Sequence, residues 1–238
     1  MLENISANKL GKLSIVATPI GNLEDITLRA LRTLRECDVV YAEDTRVIAK
    51  LLAKYEIKKP LQRLDAATEN KKVEEVVVRL EAGEQVVFVS DAGTPGISDP
   101  GSRLVAAVRK VFSNKTSQTC FIEAIPGPSA LTTFLSVAGV DATQFTFLGF
   151  LPHKKGRQTA LKKLAQSDVP VALYESPHRI LKLLAELEVA SPGCCVTLGR
   201  ELTKIHEEVI VGTPAELAQS LESRGAVRGE FVVIVERK

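Results

Sequence analysis

No two cysteines in this chain are spaced C-x-x-C, and the four present, Cys37, Cys120, Cys194 and Cys195, are too few and too scattered for a disulfide-stapled fold. They read as reduced packing residues. The three histidines, His153, His178 and His206, form neither an H-E-x-x-H nor an H-x-E arrangement, so no metal is expected. Charge of one sign is not in excess. With 31 Lys and Arg against 29 Asp and Glu, the formal net charge is +2, which excludes a uniformly basic nucleic-acid coat but permits a local basic patch. No apolar run approaches bilayer length, and the opening MLENISANKLGKLS lacks the apolar region of a signal peptide, so a cytoplasmic protein without a membrane segment is expected. Neither G-x-x-x-x-G-K-[ST] nor G-x-G-x-x-G occurs in the glycine-rich loops. A Walker phosphate cradle and a dinucleotide fingerprint are therefore unsupported.

What the chain does have is a run of loops at strand ends. Val89 to Gly101, VSDAGTPGISDPG, follows the apolar stretch Gln85 to Phe88 and leads into a helical pattern at Arg103. Gly93, Gly96 and Gly101 with Pro95 and Pro100 cannot continue a strand, and they leave a rigid loop that can approach a ligand closely. Asp91 and Asp99 sit in it. The design recurs where Leu13 to Ala17 breaks at Thr18-Pro19-Ile20-Gly21-Asn22, where Val39 to Ala42 runs into Glu43-Asp44-Thr45-Arg46, and where Phe121 to Ile125 runs into Pro126-Gly127-Pro128-Ser129-Ala130. Crevices at the carboxyl ends of strands are where open α/β sheets bind small molecules.

At 238 residues and 45% hydrophobic content the chain can bury a substantial core, and a change of pattern after Ala124 divides it. Before that point apolar runs alternate with helices beginning near Thr27, Thr45, Thr68 and Ser102, the βαβα order of a mainly parallel sheet. Beyond it, Val169 to Tyr174, Cys195 to Leu198, Val209 to Val211 and Phe231 to Val235 read as strands. Leu131 to Ala138, Arg157 to Gln166, Arg179 to Leu187 and Pro214 to Ser223 read as helices, the last secured by a capping threonine, Thr213, with Pro214 and Glu216. The expectation is an α/β fold of two domains, 1–125 and 126–238, with facing loops.

Taken in order, IVATPIGNLEDITLRAL, AEDTR, VSDAGTPGISDPG, PGPSALTTFL, FLGFLP, YESPHR, GRELTKIHEE and GEFVVIVE resemble the ribosomal RNA small subunit methyltransferase I family of the tetrapyrrole methylase superfamily, over roughly residues 12 to 236. The resemblance implies S-adenosylmethionine as methyl donor, a ligand cleft between two α/β domains, a homodimer, and 2'-O-methylation of a cytidine in small-subunit (16S) ribosomal RNA. Carried over by position, it implies donor contacts at Pro19 and Gly21, at Ser90, Asp91, Ala92 and Gly93 with Ile97 and Ser98, at Ser129 and Ala130, at Tyr174 and Glu175, and at Gly199 and Glu230. Members commonly continue into a basic helical segment, whereas this chain stops at Glu236-Arg237-Lys238. A small tetrapyrrole-like acceptor therefore stays open as a second reading, and a non-catalytic ligand-sensing module as a third.

A sulfonium methyl group is already activated, so placement of the acceptor and exclusion of water should carry much of the catalysis. Some group must also take the proton of a ribose hydroxyl. Glu43 and Asp44, with Arg46 completing a polar cluster, lead the candidates ahead of Glu175, His178 and Glu201. The other reading of those residues is that Asp44 caps the helix near Thr45 and pairs with Arg46. For RNA, the basic turn His153-Lys154-Lys155-Gly156-Arg157, joined by Arg179, offers phosphate contacts, while Arg29, Arg32 and Arg35 read as a solvated helix face. Phe145, Phe147 and Phe150 read as core.

Overall fold

The computed structural model describes residues 11–65, 68–113 and 121–237, with no side-chain account at 69–71. Cys120 lies outside the described residues. The chain forms two compact units that meet in sequence between Ser129 and Ala130. That junction falls later than the change in pattern at 125 because the intervening loop packs into the first unit. The Pro128 carbonyl accepts a hydrogen bond from Thr94 Oγ1 at 3.0 Å, and a Cβ on Gly127 would lie 3.1 Å from that of Ala17.

The first unit runs β1 (Lys12–Val16), α1 (Leu28–Glu36), β2 (Val39–Ala42), α2 (Thr45–Lys54), β3 (Leu61–Arg63), α3 (Glu69–Glu81), β4 (Gln85–Val89), α4 (Ser102–Ser113) and β5 (Phe121–Ile125). Its sheet has the order β3-β2-β4-β1-β5 and every pairing is parallel. Strands covered on both faces need apolar side chains in both directions, which is why Val39 to Ala42 is buried throughout. One face is packed by Ala30, Leu31 and Leu34 of α1 with Ile48, Leu51 and Leu52 of α2. The other is packed by Val76 and Leu80 of α3 with Leu104, Val108 and Phe112 of α4. Because all five strands point the same way, their carboxyl ends share one edge.

The second unit runs α5 (Ala130–Val137), β6 (Thr146–Phe150), α6 (Arg157–Ala165), β7 (Val171–Glu175), α7 (Ile180–Ala190), β8 (Cys195–Arg200), β9 (Glu208–Gly212), α8 (Pro214–Ser223) and β10 (Phe231–Glu236). Its sheet is mixed, in the order β6-β7-β10-β8-β9, with β6 and β7 parallel and the other pairs antiparallel. Leu161 and Leu164 of α6, Ile180, Leu183, Leu184 and Leu187 of α7, and Leu217 and Leu221 of α8 bury one face with Leu173, Val233 and Leu198. The spacing of the α7 leucines and Ile180 is the apolar stripe of an amphipathic helix. Among the described residues no helix is long and apolar enough to cross a membrane.

Candidate functional site

The loops of the parallel edge are stitched to one another by hydrogen bonds of both backbone and side chains. Beyond β1, Thr18 and Gly93 exchange both amide-to-carbonyl hydrogen bonds, at 2.9 and 3.0 Å, so the loop after β1 and the loop after β4 are locked together. Strands β1 and β4 are sheet neighbours whose outgoing connections leave over opposite faces of the sheet, β1 into α1 and β4 into α4. That is the switch point where open α/β sheets leave a crevice. Gly93 has φ +78, and a Cβ there would stand 3.3 Å from Ile20 Cγ2 and 3.7 Å from the Pro128 carbonyl oxygen. Only a residue without a side chain lets three loops converge here. Beneath them Thr18, Ser90 and Ser129 are buried, at 2%, 2% and 7% exposure.

The long loop after β4 is held by its own turns. Gly96, Ser98 and Gly101 all have positive φ, and Gly96 N donates to the Pro100 carbonyl at 3.1 Å. A Cβ on Gly101 would fall 2.7 Å from the ring of Phe88, so the loop folds back onto the strand it left. Pro19, Gly21, Ser90, Asp91, Ala92, Gly93, Ile97, Ser98 and Ser129 all belong to these edge loops of the first unit, and Asp91, Ala92 and Gly21 are exposed. Asp91 Oδ1 accepts the Asp44 amide at 2.9 Å, which ties the loop after β4 to the one after β2.

Two adjacent carboxylates after β2 differ in character. Asp44 caps α2, its Oδ1 accepting from Arg46 N and Arg46 Nε at 2.9 Å each, while Arg46 Nη2 lies 2.5 Å from Oδ2. Hydrogen bonds from the Arg46 side chain and backbone hold this carboxyl down at about 2. Asp44 and Arg46, expected as catalytic residues, are thereby occupied as a helix cap and its partner, and a carboxylate held so low is a weak proton acceptor. Glu43 is the reverse. Burial pushes its carboxyl up, and the negative charges of Asp91 and Asp99 push it further. Asp99, in the same loop as Asp91, is likewise raised by its own burial.

In the second unit, strand register gathers residues that are far apart in sequence. Val232 lies between Tyr174 and Gly199, and Phe150 pairs with Tyr174 on the other side, so Phe150, Tyr174, Val232 and Gly199 form one row across the sheet. Cross-strand partners share a face, and this row lies on the face opposite Leu173, Val233 and Leu198. Gly199 is explained by packing. A Cβ there would stand 2.5 Å from the ring of Phe134, the fully buried side chain that α5 lays on the sheet. Glu230 is bound to the turn after β8: its amide donates to Glu201 Oε1 at 3.0 Å, its carbonyl accepts from Glu201 N at 3.0 Å, and Lys204 Nζ lies 2.9 Å from its carboxylate.

Arg157 is 3% exposed with Glu186 against its guanidinium, and Arg179 is turned onto Glu175, so neither presents its charge to an RNA phosphate. The Glu175 side chain is fully buried in the same cluster, its Oε1 held by Arg179 and the Ser176 amide. Lys154 and Lys155 remain exposed. Phe145 and Phe150 are not core, at 36% and 53% exposure, while Phe147 sets its ring edge against Tyr174 at 5.0 Å between centroids. Cys37 and Cys194 are buried free thiols, and Cys195 is a half-buried one. Among the described residues no group of three or more His, Cys, Asp or Glu could hold a metal ion.

The profile of the tetrapyrrole (corrin/porphyrin) methylases matches residues 12–218. The chain is 45% identical over 227 residues to a Ribosomal RNA small subunit methyltransferase I of Borrelia garinii subsp. bavariensis, spanning 94% of this chain and 98% of that protein. It is 42% identical over 229 residues to the protein of that name in Thermotoga maritima, spanning 96% and 100%. Among solved structures, a uroporphyrin-III C-methyltransferase of Thermus thermophilus complexed with S-adenosylhomocysteine aligns with TM-score 0.62 and 19% identity over 94% of this chain and 97% of that one, a likeness of fold. Identity at this level along nearly the whole chain turns the resemblance of its loops into membership: the chain belongs to the tetrapyrrole methylase family and is a methyltransferase.

Proposed function

We propose that this methyltransferase uses S-adenosylmethionine to methylate the 2'-oxygen of a cytidine ribose in small-subunit ribosomal RNA. The observation that carries the proposal is the match, at 45% and 42% identity and almost end to end, to two relatives that bear the ribosomal RNA small subunit name. The parallel edge fits the donor. The loop after β4, anchored by the buried Gly93 and presenting the exposed Asp91 and Ala92, can take an amino-acid moiety and a nucleoside. Pro19, Ser90, Asp91, Gly93 and Ser129 would hold it there. When bound, S-adenosylmethionine supplies a methyl group already activated by the sulfonium charge.

The remaining work belongs to this chain's own residues. The Thr18–Gly93 pairing and the Asp91–Asp44 hydrogen bond fix the edge before any ligand arrives, so that little rearrangement is needed to bring acceptor and methyl carbon into line. As the new oxygen–carbon bond forms, the ribose hydroxyl gives up its proton. Glu43 is the base we assign, because burial beside Asp91 and Asp99 raises its proton affinity toward the working pH. Lys154 and Lys155, exposed in the turn before α6, would meet backbone phosphates of the RNA.

The test is incubation with donor labelled in the methyl group and assembled small ribosomal subunits, followed by nuclease-resistant ribose mapping. Label at a single cytidine ribose is expected. Label absent from RNA, or transferred only to a tetrapyrrole offered in its place, would refute the acceptor we propose.

A further inference from the structure

The second unit holds four charged side chains, wholly or largely buried, that the proposed chemistry does not use. They are Arg157, Glu175, Arg179 and Glu186. Arg157 Nε donates to Glu186 Oε2 at 2.8 Å, Nη2 lies 2.6 Å from the same oxygen, and Nη1 donates to the Pro152 carbonyl at 3.2 Å. Arg179 Nη2 lies 2.6 Å from Glu175 Oε1, and its Nη1 donates to the Leu151 carbonyl at 2.9 Å. Glu175 Oε1 also accepts from Ser176 N at 2.8 Å, and Oε2 stands 3.8 Å from Arg157 Nη2, which joins the two pairs. Both guanidinium groups thus aim one donor at a backbone carbonyl of the same segment, the one that continues into His153, Lys154 and Lys155. Arg157 N closes the turn on the Lys154 carbonyl at 3.2 Å, and Gly156 at φ +87 carries the chain into α6.

Stability alone does not call for such a cluster. Buried ion pairs lose in desolvation much of what they gain in attraction, and apolar residues of similar volume often serve as well. Here the balance is poorer still, since Arg157 Nη2, Glu175 Oε2 and Arg179 Nε complete no hydrogen bond. What the cluster does supply is shape. Two planar donors, each fixed by a carboxylate, pin consecutive carbonyls at Leu151 and Pro152 and leave the next side chains projecting from a held backbone. Lys154 and Lys155 are exposed and form no ion pair with any described residue.

We propose that Arg157, Glu175, Arg179 and Glu186 are positioning residues that clamp the 151–156 turn, so that Lys154 and Lys155 are presented to RNA phosphates in one arrangement. The clamp rests on the reading of that turn as an RNA contact. A mobile pair of lysines would have to be ordered on binding, and a held pair has been ordered in advance.

Glu186→Gln removes the charge that holds Arg157 and keeps the size of the side chain. Trypsin acting on the native protein reads the turn with no RNA present, and cleavage after Lys154 or Lys155 is expected to be several-fold faster in the variant than in the wild type. An unchanged rate overturns the clamp. Affinity for the small subunit is then measured in a cycle with the Lys154→Ala/Lys155→Ala variant. Glu186→Gln should weaken binding several-fold when the lysines are present and have no further effect when they are absent. Additive losses overturn the clamp, because a purely structural defect would not depend on the lysines. If the lysine variant itself binds as the wild type does, the RNA reading of the turn fails, and the clamp stands or falls on the trypsin result. Should Glu186→Gln not fold, Arg157→Lys retains the charge while losing the fork that reaches Glu186 and Pro152 together, and the same measurements apply.

Discussion

Glu43 and Asp44 are neighbours in sequence with the same functional group, and their surroundings drive them apart. Asp44 meets the first turn of α2 and the Arg46 guanidinium, which favour its charged form; Glu43 is partly buried beside two further acids, which disfavour its own. If Glu43 takes the ribose proton, methylation should require its ionised form, and the acid limb of the rate–pH profile should have its midpoint above 4.5, the ordinary glutamate value. Glu43→Gln should lower the rate on the order of 10²-fold or more, with donor affinity retained. Asp44→Asn, which keeps the side chain's shape and a capping oxygen, should cost far less. Equal losses in the two variants would move the base elsewhere. Stability adds a signature of known sign. A carboxyl raised in the folded state contributes stability that is fully present below 4.5 and lost as pH rises through its folded value. Above that range Glu43→Gln should therefore gain stability relative to the wild type, as read by denaturant titration at several pH values.

Gly199 and Thr213 show how an element is set by one atom present or absent. The Gly199 backbone in β8 leaves room for the Phe134 ring, so Gly199→Ala must displace a fully buried aromatic ring or bend the strand, at a cost of about 1–3 kcal/mol in urea unfolding. Thr213 caps α8 in a reciprocal box with Glu216, and Thr213→Ala should cost about 1 kcal/mol without touching the sheet. That helix start is legible from Thr213-Pro214-Ala215-Glu216 alone, since capping chemistry is local. The parallel half is legible for another reason: strands alternating with helices force their loops onto one edge, whatever the strand order. The row Phe150–Tyr174–Val232–Gly199 is not legible, because it depends on β10 inserting between β7 and β8, and nothing near residue 232 encodes that. Strands β3 and β6 also escape pattern reading. Leu61–Arg63 is too short to show alternation, and Thr146–Phe150 carries apolar residues on both sides of an irregular edge strand with Gly149 at φ +61. The partners of Arg157 are hidden for the same reason, since Glu186 belongs to another helix and a basic turn looks the same whether its arginine points out or in.

At the scale of the whole molecule, the second unit ends its sheet on β6 with Leu148 and Phe150 38% and 53% exposed, and Phe145 beside them at 36%. An edge strand with unpaired backbone groups and apolar side chains is an aggregation hazard that folded proteins cover, and a second copy of the same chain is a common cover because a two-fold contact satisfies both copies at once. We therefore predict a homodimer, for which light scattering at micromolar concentration gives twice the 25.8 kDa of the chain. Phe150→Glu, which sets a carboxylate in the middle of the patch, should shift the mass toward the monomer while the folded signal in circular dichroism persists. A wild-type monomer would remove the dimer outright. A wild-type dimer that Phe150→Glu leaves intact would keep the dimer and move its interface away from β6, leaving the exposed aromatics of that strand to some other contact.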